Sequence, residues 1–271
     1  MTISNIHSTV LQIQLPAIGY GDRLLVRDIS FELAPGELVL LAGPNGTGKT
    51  TLLKTLAEAG KGSENCATLG TSEGGAHLWE GRRSLCDRRF SDPLPPSARI
   101  ILIPTNIPKV KGFTVEGFIE TGCYRESDWR GRISTIAAGK MEKAMELLGI
   151  QEFRNRDIST LSDGEFQKAC LAVGLTRQAE VLLLDEPTAH LDVENRIDVL
   201  RTLREVARKS GTAILFSSHD LHDALQVVDR VFAITRDGRF LASLPAISGE
   251  VEKSKADVLR EAFPDLPPDT I

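Results

Sequence analysis

Short apolar runs recur along the chain and predict the strands of a buried sheet. Four of them are continuous, as in strands covered on both faces: residues 38–42, 100–103, 181–184 and 213–216. Residues 10–15 instead alternate between apolar and polar side chains, which is typical of a strand with one buried face. The pattern therefore predicts a sheet with buried central strands and a separate, half-exposed strand near the N-terminus.

Apolar residues spaced three and four apart predict helices between these strands. Leu52, Leu53 and Leu56 follow the first buried run at this spacing, and Gly60 is a natural helix end. Further helices are expected at residues 115–121, 137–148 and 193–209. A strand, a helix and a strand in this order are typical of a parallel sheet with helices on its faces.

The order of these elements suggests one domain over residues 1–271. A helix-rich stretch at about residues 110–178 separates the first strand–helix unit from the later strands, and we interpret it as an inserted helical subdomain. Residues 61–97 predict no clear element, and residues 245–271 are expected to form a C-terminal tail. No apolar run approaches the roughly 18 residues of a membrane span, and no secretory signal is recognised at the start.

Composition narrows the possible functions only a little. Of the 271 residues, 41% are hydrophobic and 25% are charged, which suits an ordinary globular core. The formal net charge is −5, which argues against general binding to nucleic acid. We therefore expect no nucleic-acid partner.

A glycine-rich segment after the first buried run carries the clearest chemistry. It reads Gly-Pro-Asn-Gly-Thr-Gly-Lys-Thr and fits the P-loop pattern G-x-x-x-x-G-K-[ST] between a predicted strand and a predicted helix. Its backbone N–H groups and the helix N-terminus attract phosphates, the lysine adds a full charge, and Thr50 can bind magnesium. The residues expected to bind ATP here are Gly43, Pro44, Asn45, Gly46, Thr47, Gly48, Lys49, Thr50 and Thr51.

The buried run at residues 181–184 ends in two acidic residues, as in a Walker B motif. Asp185 is expected to hold magnesium through water, together with Thr50. Because the metal engages Asp185, Glu186 is the better candidate for orienting or deprotonating the attacking water.

The segment Leu161-Ser-Asp-Gly-Glu165 precedes an apolar helical run. Ser162 and Glu165 fit a capping box, which predicts a helix N-terminus here. The same segment resembles the LSGGQ signature of ABC-transporter ATPases, and Ser162 lies 23 residues before Asp185, as in that family. The resemblance implies that Ser162, Gly164 and Glu165 contact the ATP bound to a second copy of the chain.

Further segments extend the resemblance over about residues 10–244. Residues 187–192 are similar to the family's D-loop, and His219 follows a buried strand where the family places its switch histidine. Tyr20 lies 29 residues before Lys49, where the family places an aromatic side chain under the adenine ring. The resemblance implies an α/β P-loop NTPase core with a mainly parallel sheet, an N-terminal antiparallel β subdomain and an inserted helical subdomain. It also implies ATP hydrolysis in a head-to-tail homodimer, with Glu186 and His219 as catalytic residues.

Two positions in the nucleotide-binding motifs depart from the family pattern. Thr105 stands where the family has the glutamine of its Q-loop, and Asn106 is an alternative for that role. Asp163 replaces the first glycine of the signature, and its charge would repel a γ-phosphate nearby. We therefore expect Asp163 to point away from the nucleotide, toward its own helix or solvent.

The purpose of hydrolysis is open between two classes at this point. Residues 114–124 resemble a segment of importers for iron–siderophore, heme and cobalamin. This resemblance implies membrane permease partners, an indirect substrate-binding protein and a peripheral location on the cytoplasmic face of a bacterial inner membrane. The alternative is a soluble ABC ATPase without a permease, acting in iron–sulfur assembly or macromolecule remodelling.

Overall fold

The computed structural model describes residues 10–20, 23–59, 76–78, 83–84, 100–126, 132–189, 191–243 and 254–265. The helices and strands are, in chain order, β1 (Leu11–Tyr20), β2 (Arg23–Leu33), β3 (Leu38–Ala42), α1 (Lys49–Ala59), β4 (Ala76–Leu78), β5 (Arg83–Ser84), β6 (Ile100–Ile103), α2 (Val115–Glu120), α3 (Thr135–Leu148), α4 (Asp163–Thr176), β7 (Val181–Leu184), α5 (Val193–Ser210), β8 (Ala213–Ser217), α6 (Leu221–Leu225), β9 (Arg230–Ile234), β10 (Phe240–Ala242) and α7 (Lys255–Ala262).

The predicted buried runs form the core of a six-stranded sheet. Its strand order is β10-β9-β3-β8-β7-β6, and the pairs are parallel except for the antiparallel pair of β9 and β10. Every residue of β3, β7 and β8 is buried. The four strands predicted from continuous apolar runs therefore lie next to one another.

The two faces of this sheet contact different layers. Val39 and Leu41 of β3 pack with α1 and with the antiparallel sheet of β1 and β2. Leu38 and Leu40, which alternate with them, pack toward the helical side that includes α4, α5 and α7. β4 and β5 pair with β1 in the small sheet. The α/β fold with an N-terminal antiparallel β part is confirmed.

Helices α2, α3 and α4 occupy the region interpreted as a helical subdomain. Ser134 caps α3 by accepting a hydrogen bond from the Ala137 N–H, and Gly149 ends this helix in the left-handed conformation. The buried face of α3, with Met141 and Met145, joins the core that α2 and α4 also line. These caps define the two ends of α3, which periodicity alone had predicted to within two residues.

Several described elements were not predicted from the sequence, and the longest of them are β2 and α7. The second strand, β2, pairs along its length with β1 in the small sheet. Helix α7 lies within the expected tail, and its buried residues Val258, Leu259 and Ala262 join the main core. Among the described residues, no helix has both the length and the hydropathy that a membrane span requires.

Candidate functional site

The predicted functional segments meet at one edge of the main sheet. The strands β3, β8, β7 and β6 are consecutive neighbours and run parallel. Their carboxyl ends therefore open on the same side, where ligands of such sheets bind. At or just after these ends lie the P-loop, Ser217 with His219, Asp185 with Glu186, and Thr105.

The P-loop turns between β3 and α1 because its glycines adopt backbone angles that other residues avoid. Gly46 and Gly48 have φ of +77° and +106°. A Cβ at Gly48 would lie 3.0 Å from Cγ2 of Val26 on β2, so the small sheet closes over the loop. The Thr47 hydroxyl donates to the Pro44 carbonyl at 2.9 Å, while Asn45 is exposed and Thr51 is buried in α1. The loop is thus a compact turn that leads into a helix N-terminus.

The Lys49 side chain is folded back into this loop. Its Nζ donates to the carbonyl oxygens of Gly43 at 2.7 Å and Pro44 at 3.2 Å, and the residue is 6% exposed. Burial lowers the pKa of Lys49, while the negative charges of Glu186 and Asp185 act in the opposite direction. An ammonium group has three N–H donors, and the loop carbonyls take two of them. The third donor is the one that a phosphate oxygen could accept.

Asp185 is held by two hydroxyl groups. Thr50 Oγ1 donates to its carboxylate oxygens at 2.9 and 3.1 Å, and Ser217 Oγ donates to Oδ1 at 3.0 Å. Ser217 is fully buried, and its oxygen also accepts the Glu186 N–H at 2.9 Å. The two residues predicted to bind magnesium are therefore in direct contact.

Glu186 and His219 form a pair at the exposed rim of the site. Nε2 of His219 lies 2.6 Å from Oε1 of Glu186, within hydrogen-bond distance. Glu186 has φ of +51°, a left-handed conformation that is unfavourable for a residue with a side chain. The Ser217 hydroxyl, which accepts the Glu186 N–H, helps to hold this conformation. One carboxylate oxygen is thus positioned by His219, and the other can accept a proton.

Thr105 is joined to the same strand end through the backbone. Its hydroxyl donates to the Asp185 carbonyl oxygen at 2.8 Å, so its link to Asp185 does not involve the carboxylate. Asn106 is exposed. Both residues line a cleft of about 520 Å³ with Glu186 and, across it, Gln167 of α4. The segment after β6 therefore lies between the acidic strand end and the signature helix.

The signature segment forms the N-terminus of α4, as the capping pattern predicts. Ser162 is the N-cap, and its hydroxyl accepts the Glu165 N–H while the Glu165 carboxylate accepts the Ser162 N–H. Gly164 is buried, and a Cβ there would lie 3.2 Å from Oδ1 of Asn195. Burial acts to raise the pKa of Glu165, but hydrogen bonds with Ser162 and the charge of Arg156 outweigh it and lower the pKa.

Asp163 has a partner that the sequence did not suggest. Its carboxylate accepts a hydrogen bond from Lys109 Nζ at 2.7 Å. Lys109 belongs to the segment that follows Thr105, 54 residues earlier in the chain. The charge of Asp163 is therefore directed toward a cation from another segment rather than toward solvent alone.

The position predicted to stack on adenine lies at the end of β1. The Tyr20 backbone pairs with Arg23 of β2. Arg23 in turn lines a cleft of about 370 Å³ together with P-loop residues Asn45 and Gly46. The Tyr20 side chain lies outside the described part of the structure, so its role stays a prediction.

Sequence reasoning missed Ser217 and Arg196. The Arg196 guanidinium forms an ion pair with Asp220 at 3.0 Å and donates to the Leu191 carbonyl at 3.4 Å. It thus connects the D-loop to the residue after His219. Ser217 could have been recognised as a polar residue at a buried strand end, whereas nothing local marks Arg196.

Comparisons with known proteins identify the family. Residues 26–189 match the model of the ABC transporter family. The chain is 29% identical to the iron(3+)-hydroxamate import ATP-binding protein FhuC of Bacillus subtilis (strain 168), covering 91% of this chain and 84% of the relative. It is 32% identical to the hemin import ATP-binding protein HmuV of Rhodopseudomonas palustris (strain HaA2), covering 84% and 82%.

A solved structure has the same fold. It is a nucleotide-free ATP-binding cassette from an ABC transporter, with a TM-score of 0.67 over 97% of both chains at 18% identity. The resemblance drawn from the P-loop, the Walker B strand and the signature is thereby confirmed. The chain therefore belongs to the ABC transporter family, as an ATP-binding subunit with ATPase activity.

Proposed function

We propose that this chain drives an importer of an iron chelate, heme or cobalamin by hydrolysing ATP. The strongest support is the pair of relatives, which are named as import proteins for iron(3+)-hydroxamate and hemin. The segment at residues 114–124, which forms α2 and the turn after it, adds the sequence resemblance to that group of importers. Permease subunits in the membrane and, through them, a substrate-binding protein are the proposed partners, on the cytoplasmic face of a bacterial inner membrane.

The ATP phosphates would bind in the P-loop, with Lys49 and the N-terminus of α1 supplying positive charge. The Tyr20 ring would stack on adenine. Thr50 and Asp185 supply oxygen atoms only, which suits a hard cation, and Mg²⁺ takes one or two protein ligands besides phosphates and waters. The donor set therefore fits Mg²⁺. When bound, this ion would neutralise charge on the phosphates.

Hydrolysis would depend on Glu186 as the residue that orients and deprotonates water. His219 contacts Oε1 of its carboxylate and leaves the other oxygen for the water proton. His219 would also steady the γ-phosphate. Thr105, whose hydroxyl donates to the Asp185 carbonyl, would respond to movements at the acidic end of β7.

Two copies would bind ATP between them in head-to-tail order. In this arrangement Ser162, Gly164 and Glu165 of one copy face the P-loop of the other. The proposal is supported by the capped N-terminus of α4, whose partial positive charge favours an anion. Because the site would be completed by the partner, ATP should drive dimerisation.

Light scattering of the Glu186→Gln variant with ATP and Mg²⁺ tests this arrangement. We expect a dimer with ATP and a monomer with ADP, because the variant keeps the shape of the site but lacks the base. The control is the double variant Glu186→Gln/Ser162→Arg, which obstructs the signature and should stay monomeric with unchanged ATP affinity. A monomer in the first variant at saturating ATP would contradict the shared site.

Uptake of a labelled chelate by cells that depend on this gene tests the cargo, with radioactive iron in ferric hydroxamate or hemin and radioactive cobalt in cobalamin. Cells lacking the gene are supplied with ferric hydroxamate, hemin or cobalamin, and then complemented with wild type or Lys49→Ala. We expect wild type, but not the variant, to restore uptake of one of these chelates. If a pull-down of the native chain from solubilised membranes brings down no polytopic permease, the soluble ATPase is favoured instead.

A further inference from the structure

Among the described residues, the close contacts of Lys109 Nζ lie in or beside the signature segment. Its Nζ donates to the Leu161 carbonyl at 2.8 Å and to the Asp163 carboxylate at 2.7 Å. The same nitrogen lies 5.4 Å from the centre of the Phe166 ring. Lys109 is thus bound to the residue before the N-cap, to the first residue of α4 and to the next turn.

Arg156 binds the same helix end in a parallel way. It donates to the Thr160 carbonyl at 2.9 Å and to the Glu165 carboxylate at 3.3 Å. Each carboxylate in the first turn of α4 is therefore matched by one cation, and each cation also binds a carbonyl just before the helix. These two cations come from different segments, the loop after β6 and the turn before α4.

The charges at this helix end explain why the match matters. A helix N-terminus carries about half a positive charge, which two carboxylates would reverse. Such a helix end would repel a polyphosphate in a partly buried interface, where the Coulomb interaction is stronger than in water. With both carboxylates paired, the net charge returns to the positive sign that an anion requires.

We propose that Lys109 is a positioning residue for the ATP-bound dimer: it holds and neutralises Asp163, so that a signature segment with an aspartate can still face the partner's γ-phosphate. This inference rests on the head-to-tail dimer proposed above. Lys109 contacts the signature segment of its own chain, and this role does not require it to contact the nucleotide. Asp163 is tolerated in place of the family's glycine because Lys109 accompanies it.

A short backbone segment also connects Lys109 to the acidic end of β7. Lys109 lies four residues after Thr105, which is anchored on the Asp185 carbonyl. Pro108 restricts the backbone of the segment that joins the two anchors, and Pro104 restricts the backbone just before that segment. The same short segment therefore touches the acidic strand end at one end and the signature helix at the other.

The test compares variants of Lys109 and Asp163 in the Glu186→Gln background, by light scattering over a range of protein concentrations with ATP and Mg²⁺. We expect Lys109→Met to weaken the ATP-bound dimer about tenfold or more, since Asp163 loses its counter-charge. Adding Asp163→Asn should bring the dimer back to within about threefold of the parent. Asp163→Asn alone should leave the dimer as tight as the parent or tighter. A purely structural role of Lys109 would not be rescued in this way.

A matched control is available in Lys140. It pairs with Glu126 at 2.7 Å, as Lys109 does with Asp163, and the two lysine side chains are similarly exposed, but Lys140 lies on α3 away from the signature. Lys140→Met should leave the dimer unchanged. Lys109→Arg should retain it, and Lys109→Gln should weaken it like Lys109→Met, which provides a second neutral variant if one fails to fold. ATP affinity of the monomer, measured by calorimetry, should be the same in all variants.

The possible failures are distinguishable. If the Glu186→Gln parent forms no dimer with ATP, the head-to-tail arrangement is wrong and this role of Lys109 falls with it. If the parent dimerises and Lys109→Met dimerises equally well, only the role of Lys109 is overturned. If Lys109→Met is weak but Asp163→Asn does not rescue it, charge compensation is overturned.

Discussion

At the base of the P-loop, the polar side chains of Lys49, Asp185 and Ser217 are buried and hydrogen-bonded, whereas the carboxylates of the signature are partly or largely exposed and held by ion pairs. Lys49 and Ser217 are 6% and 0% exposed, and each is hydrogen-bonded within the site. The Asp163 side chain is 61% exposed and is held by a cation from a distant segment. The first region is held by buried hydrogen bonds within the site, and the second is held by ion pairs at the surface.

The two regions should therefore respond differently to substitution. Removing one partner of a buried hydrogen bond costs about 1–3 kcal/mol, because the other partner loses both water and its bond. An exposed ion pair contributes only about 0–1 kcal/mol to folding. Changes near the P-loop should alter both stability and chemistry, while changes near the signature should alter assembly with little effect on folding.

The largest effect is expected for Glu186→Gln. The amide keeps the shape of the side chain but cannot accept the water proton, so ATP hydrolysis should fall about 10²- to 10⁴-fold. ATP affinity should change little, because Glu186 is not part of the phosphate cradle. Phosphate release measures the fall in hydrolysis, and calorimetric titration measures the ATP affinity. Glu194→Gln, an exposed change on α5, serves as the control, and hydrolysis at the wild-type rate would assign the base to another residue.

Lys49→Ala should affect binding rather than only turnover. The change deletes the side-chain charge of the cradle, and ATP affinity should fall roughly 10- to 100-fold, as expected for a hydrogen bond to a charged group. It also removes the lysine donor from the Gly43 and Pro44 carbonyls, although the Pro44 carbonyl keeps the Thr47 hydroxyl. Calorimetric titration with ATP measures the loss. Lys54→Ala on the exposed face of α1 is the matched control, and equal affinity in both variants would refute the P-loop assignment.

Ser217→Ala gives the clearest separation of the two regions. It removes the donor to Asp185 and the acceptor of the Glu186 N–H at a fully buried position. We expect the free energy of unfolding to fall by about 1–3 kcal/mol and Mg²⁺-dependent hydrolysis to fall as well. Lys109→Met should lower the free energy of unfolding by less than about 1 kcal/mol. Denaturant unfolding measures the loss in both variants. Equal losses in the free energy of unfolding would mean that the two regions do not differ in how much their polar contacts stabilise the fold.

Much of the fold could be predicted because the central strands are continuous apolar runs. Strand β3 and helix α1 follow directly from such a run and from the leucines after the P-loop. Strand β2 escaped because consecutive exposed residues, Arg27 and Asp28, interrupt its alternation, and Asp28 adopts a φ of +56°. Helix α7 escaped because its eight residues cover only about two helical turns, although Ser254 and Asp257 form a capping box.

The same contrast holds within the site. Thr50, Asp185 and Glu186 lie in local motifs whose residue types are fixed by phosphate and metal chemistry, so their neighbourhood could be predicted. The contact of Lys109 with Asp163 joins residues far apart in the chain, and an exposed ion pair leaves no pattern in the sequence. Sequence reasoning expected Asp163 to turn away from the nucleotide, but it could not name the cation that makes this favourable.

The smallest effect is expected at Thr105, where the two regions meet. Its hydroxyl makes one partly buried hydrogen bond, to the Asp185 carbonyl, so Thr105→Val should reduce hydrolysis about 2- to 10-fold while keeping the side-chain shape. Thr105→Gln should increase hydrolysis or Mg²⁺ affinity, because the longer amide can reach the metal and water as the family's glutamine does.

Asn106→Ala tests the alternative position for the glutamine. It should lower hydrolysis or Mg²⁺ affinity only if Asn106 has taken over the role of that glutamine. Thr202→Val on α5 is the control, and steady-state hydrolysis against Mg²⁺ concentration is the measurement. Since Thr105 and Lys109 anchor one segment to both regions, unchanged kinetics in all three variants would mean that this segment does not connect the acidic strand end to the signature.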